Sequence, residues 1–186
     1  MLRILDNPLQ DIPMAAVLAS PIVGMDDEEL AQIRSAFKGV SFAQAALSAM
    51  AGEDGYEDEK LKAFALVFER LRGAVADTPI HELLYMMLDE TGFYRYASAM
   101  PAGKRRRQNI DMLIEMAAAY EKTSYKGLFH FVRYIDIQQK YEIDYGEADT
   151  AGENDDVVRI MTIHKSKGLE FPVVFVSCLL YTSDAA

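Results

Sequence analysis

The chain has 186 residues, is 51% apolar, and carries 19 basic and 29 acidic side chains for a net charge of −10. That balance is globular, and its one cysteine, Cys178, excludes an intrachain disulfide framework and a cysteine-built zinc site. No run of ~18 apolar residues is present to span a membrane, and the first residues lack signal-peptide architecture, so a cytoplasmic protein is expected.

The opening is turn-rich and then helical. Asn7, Pro8 and Gln10 read as a cap, a first helical position and a box-closing side chain; Pro13 fits equally in the first turn of a separate short helix. Pro21 ends the helix that holds Met14 and Leu18, because the residue before a proline is pushed out of the α region. Residues 26–37 form a cleaner helix, with Asp26 and Glu29 as a capping box, acids at the positive end of the dipole, and Leu30, Ile33 and Phe37 on one face. Gly39 stops it. Ser41 caps an alanine-rich helix to about residue 50, and 51–59 is a polar loop.

From 57 to 76 the periodicity is strong. Leu61, Phe64, Phe68, Leu71 and Val75 recur at three- and four-residue spacing, the mark of an amphipathic helix on a core. Thr78 and Pro79 start the next helix, which runs to about 90 with Gly92 as terminator. Residues 92–103 read as a loop or broken helix rich in aromatics. A long helix over 104–121 places Ile110, Leu113, Ala117 and Tyr120 inward; another over 126–140 does so with Leu128, Phe131, Val132 and Ile135. Residues 142–156 hold seven acids and two glycines, a solvated linker and domain boundary. Beyond it, 157–163 and 172–177 read as two strands flanking a polar turn. Two strands cannot bury themselves in isolation, so this end reads as one piece of a larger sheet.

Charge is unevenly distributed. Residues 1–103 carry 8 basic and 16 acidic side chains, net −8; 104–140 carry 8 and 4, net +4; 141–186 carry 3 and 9, net −6. Only the middle block offers a polyanion an attractive surface.

Few stretches carry chemistry. A phosphate loop needs G-x-x-x-x-G-K-[ST]; around Gly103-Lys104 the sequence has Ser98 in place of the first glycine and Arg105 in place of Ser or Thr. Residues 83–90 end in Asp89-Glu90 like a Walker B strand, but Leu83, Leu84, Met87 and Leu88 form a helical stripe. Lys104, Arg105, Arg106 and Arg107 oppose the dipole at a helix start, which makes them a candidate phosphate-backbone contact; a solvated turn is the plain alternative. His81 and His130 sit in helical patterns with no second metal-type ligand nearby and read as surface or packing residues. Residues 162–170 combine Thr162, His164, Lys165, Ser166, Lys167, Gly168 and Glu170. Hydroxyls and exposed amides donate to phosphate, lysines supply charge, and a glycine admits close backbone approach. Glu170 suits ribose hydroxyls. A polar strand connection is the plain alternative here.

That run, TIHKSKGLEFPVVFV, closely resembles motif V of UvrD/PcrA-like superfamily 1 helicases, roughly T-x-H-x-x-K-G-L-E-[FW], with Thr162, His164, Lys167, Gly168, Leu169, Glu170 and Phe171 matching. LDNPLQDIPMAAVLASPIVG resembles the family's segment after motif IV. RRQNIDMLIEMAAAYEKTSYKGLFHFVRYI most resembles the AddA-type subunits of bacterial helicase–nucleases. The resemblance covers residues 2–177. It implies a mainly α fold: a helical 2B-like domain over 26–141, entered from a domain 2A segment at 1–25, and followed after the 142–156 linker by a β-strand–turn–strand piece of RecA-like α/β (P-loop NTPase) domain 2A at 157–177.

By motif position the resemblance places Gly168 and Glu170 toward ATP, and Thr162 and His164, with the neighbouring Lys165 and Lys167, toward single-stranded DNA. Lys104 to Arg107 are matched to no motif and are candidates, on charge, for duplex DNA or a partner domain. Implied for the parent are ATP with Mg2+, an AddB-type partner subunit, exonuclease activity, and a role in double-strand break repair and recombination. Walker A, Walker B and motif VI are absent, so this chain alone is expected to be inactive. The end at 178–186 departs from the family pattern and is expected to be non-native or truncated. Two alternatives stand beside this reading: a UvrD/PcrA-like helicase without a nuclease, and a helical interaction module that binds no DNA.

Overall fold

A computed structural model describes residues 1–122, 127–140, 158, 160–164 and 166–176. The chain divides into two compact units, Met1–Thr150 and Ala151–Ala186. The described part of the first unit is helical: α1 (Leu2–Asp6), α2 (Asp11–Ala19), α3 (Asp27–Ala36), α4 (Phe42–Met50), a 3-10 turn (Glu53–Gly55), α5 (Glu59–Ala74), α6 (Ile80–Thr91), α7 (Phe93–Ala99), α8 (Gly103–Tyr120) and α9 (Leu128–Lys140).

Local chemistry sets several of the boundaries. Asp26 accepts from the Glu29 amide at 2.8 Å while Glu29 accepts from the Asp26 amide at 2.8 Å, a complete capping box for α3. Ser41 and Gln44 form the same box on α4. Asp58 caps α5 through the Leu61 amide at 2.8 Å. The expected helix start at Asn7 is replaced by a stop: Asn7 closes α1, and its side chain accepts from the Leu9 amide at 3.0 Å in a local turn. Helix α2 then begins after Gln10 with Pro13 in its first turn. The aromatic stretch after Gly92 contains the short helix α7.

Helix α5 packs on α1, α4 and α6, and Leu61 and Leu71 are fully buried on it. The alanine face of α4 (Ala43, Ala45, Ala46, Ala49) is buried and lets neighbouring backbones approach closely. Ile4 of α1, Met14 and Leu18 of α2, Leu83 and Leu84 of α6, and Phe131 of α9 share this core. Removing a side chain such as Leu61 to alanine costs about 2–5 kcal/mol in such a setting. The α1 and α9 helices pack together, and the Arg3 guanidinium donates to Asp136 across the contact.

The second unit corrects the expected fold class. Among its described residues there is no strand; the β-strand–turn–strand piece is not formed, and only its turn remains. The apolar flanks lie open, with Val158, Ile160 and Phe175 at 95%, 98% and 94% exposure. The physical reason is that a strand is stabilised by a neighbour's ladder and covering face, and among the described residues this stretch has neither. The 142–156 linker, Val157, Lys165, Ser177, Cys178 and the 178–186 tail lie outside the described residues.

Candidate functional site

The polar turn of the second unit is held by its own backbone. The Ser166 amide donates to the Thr162 carbonyl at 3.1 Å, and the Leu169 amide donates to the Ser166 carbonyl at 3.0 Å. The Ser166 hydroxyl donates to the Ile163 carbonyl at 2.9 Å. Two successive turns therefore bring Thr162 and Leu169 into one compact run. Gly168 has φ +88 with no atom within 4 Å of where a Cβ would stand. This left-handed geometry favours glycine, and the space beside it is open. Thr162, His164, Lys167, Gly168 and Glu170 are all exposed.

This arrangement can do limited chemistry. An open glycine backbone admits a phosphate chain, and the exposed Glu170 carboxylate can accept from hydroxyls. Among the described residues no group of His, Cys, Asp or Glu could hold a metal ion.

The basic run occupies the first turn of α8, and Lys104, Arg105, Arg106 and Arg107 are all exposed. At 3.6 residues per turn, four consecutive residues fan around most of the helix, so they do not make one patch. Lys104 and Arg107 fall on one side, Arg105 and Arg106 on others. Arg106 folds back, its Nε donating to the Pro101 carbonyl at 3.1 Å. Arg107 lies one turn before Asp111, whose carboxylate accepts from the Tyr94 hydroxyl at 3.1 Å. Burial, then the Asp111 hydrogen bond, push the Tyr94 hydroxyl above its ordinary range, and the nearby Arg107 charge pulls it back. The N-cap of α8, Ala102, is left-handed at φ 58 and supplies no side-chain cap. Gly103 sits against α7: a Cβ there would come within 2.0 Å of the Ser98 carbonyl oxygen. The glycine of the only Gly-Lys pair thus serves a tight helix–helix turn.

His81 is part-buried and bonded through Nδ1 to the Glu121 carboxylate at the end of α8. The other Glu121 oxygen accepts from the Ile80 amide, the first of α6. Helix α6 has no side-chain cap from its own N-cap residue, so Glu121 fills that place from another helix. His130 is exposed and meets Phe129 edge-on at 5.3 Å. Sequence reasoning left Glu121 unassigned. Forty residues separate it from His81, and no local pattern marks such a pair.

Among the described residues no helix is long and apolar enough to cross a membrane. Comparison with known proteins adds a family. The model of the UvrD-like helicase C-terminal domain matches residues 1–181. Proteins named as the A subunit of an ATP-dependent helicase/nuclease are similar throughout: 47% identical over 179 residues in Anoxybacillus flavithermus, 48% over 181 in Bacillus cytotoxicus, and 46% over 181 in Bacillus mycoides. Each comparison covers 95% of this chain and 15% of the relative, so the chain spans about 15% of those proteins' length.

Proposed function

This chain belongs to the family of UvrD-like helicase C-terminal domains, and we propose that it works as part of an ATP-dependent DNA helicase with an associated nuclease, acting in double-strand break repair and recombination. The observation that carries this is the 1–181 family match together with a compact, exposed polar turn at 162–170. The named relatives support the helicase–nuclease form over a helicase without a nuclease.

In this reading Gly168 and Glu170 are the chain's share of an ATP site, with the glycine backbone beside the phosphates and Glu170 on the ribose. Bound ATP supplies the free energy for movement along DNA. Mg2+ would enter with the nucleotide. Thr162, His164, Lys165 and Lys167 would grip single-stranded DNA, so that one turn senses nucleotide on one side and DNA on the other. Residues 26–141 would be the inserted 2B-like domain, with 1–25 and 157–177 the flanking segments of domain 2A, although α1 and α2 of the first segment pack into one core with the later helices. Lys104 and Arg107 would lead any contact of α8 with duplex DNA, Arg105 and Arg106 lying to either side. An AddB-type subunit is the proposed partner, and the cytoplasm the proposed place of action.

The test is Glu170→Ala in the intact helicase. Loss of a hydrogen bond to a charged group is worth about 1.5–3 kcal/mol, so DNA-stimulated ATP turnover should fall roughly tenfold or more. Unchanged turnover would remove Glu170 from the site. The chain by itself should show negligible ATPase, and substantial DNA-stimulated hydrolysis by it would overturn the proposed division of labour. One observation favours the interaction module instead, the net charge of −8 over residues 1–103. DNA binding by the intact protein that is indifferent to changes at both 104–107 and 162–167 would support it.

A further inference from the structure

We draw no further inference here: the strongest candidate, the open cleft where the α5–α6 connection meets the start of α6 and the end of α8, carries nothing because nothing in the structure shows what would fill it, its polar lining pair His81 and Glu121 being already bonded to each other.

Discussion

Gly103 has no room for a side chain. A Cβ placed 2.0 Å from the Ser98 carbonyl forces backbone apart from backbone, which no rotamer change relieves. Gly103→Ala should therefore destabilise the chain by about 1–3 kcal/mol, read as a lower urea midpoint; an unchanged midpoint would show that the α7–α8 turn opens freely. The sequence marked this glycine only as a failed phosphate loop, because close approach between helices leaves no trace in neighbouring letters. Gly168 differs: its left-handed φ of +88 was readable only as permissiveness, and the open space around it makes alanine a local strain rather than a clash. Two carboxylates contribute to loss of stability in acid, and Asp6, pushed up by burial, opposes them. Asp11 is held below the usual range mainly by the Ala43 amide, which donates to it at 2.9 Å, and Glu29 mainly by the Lys60 ammonium at 2.6 Å. A depressed folded pKa gives stability that is present above the unfolded value, near ~4, and lost as pH falls through the folded one. The melting temperature should thus hold from neutral pH to about 4 and fall below it. In the double variant Asp11→Asn, Glu29→Gln that fall should be shallower; equal steepness would dismiss both groups as its source.

Helix α6 begins on a borrowed cap. Its first amide and His81 both bond to Glu121 of the α8 end, so Glu121→Ala should cost roughly 0.5–2 kcal/mol, the usual value of a lost N-cap. Thermal melts of this variant beside His81→Ala separate the two bonds, since only the first removes the cap. Boundaries set by neighbours in sequence were legible. Asp26 with Glu29, Ser41, and the periodic run from Leu61 to Leu71 carry their structure in their spacing. Boundaries set by other helices were not, and the stretch read as a loop or broken helix holds α7, which is short and starts on a left-handed glycine. For α8, the fan of its first turn predicts an unequal basic run. On the proposed contact of α8 with DNA, Lys104→Ala combined with Arg107→Ala in the intact parent protein should weaken DNA binding alike for all sequences and lower the salt slope by about 1 for each phosphate no longer engaged. The pair Arg105→Ala, Arg106→Ala should do less. Equal losses from both pairs would mean that DNA does not meet α8 from one side.

Over the whole molecule, the apolar content of the two units is used differently. The first buries Ile4, Ile33, Leu61, Leu84 and Phe131 completely, whereas the described apolar residues of the second remain largely open. The helical fold was legible because a helix satisfies its own backbone. The strand piece was misjudged because a strand needs a partner, and an apolar run names a tendency without supplying one. The core is complete without the second unit's described residues, so a chain of residues 1–140 should unfold cooperatively with nearly the same urea midpoint as the full chain; loss of the transition would show that the helices depend on the residues after 140. The packing of α1 against α9, tied by Arg3 and Asp136, has a topological consequence. Helices far apart in sequence are neighbours there, so the order of the helices along the chain can be changed without moving them. A short glycine-rich bridge from 140 back to 1 would close the chain, and a cut in the exposed turn at Glu53–Gly55 would reopen it elsewhere with its helices in a new order. A permuted chain of this kind that keeps a cooperative urea transition would show that the α1–α9 contact, and not the order of the helices, holds the body together.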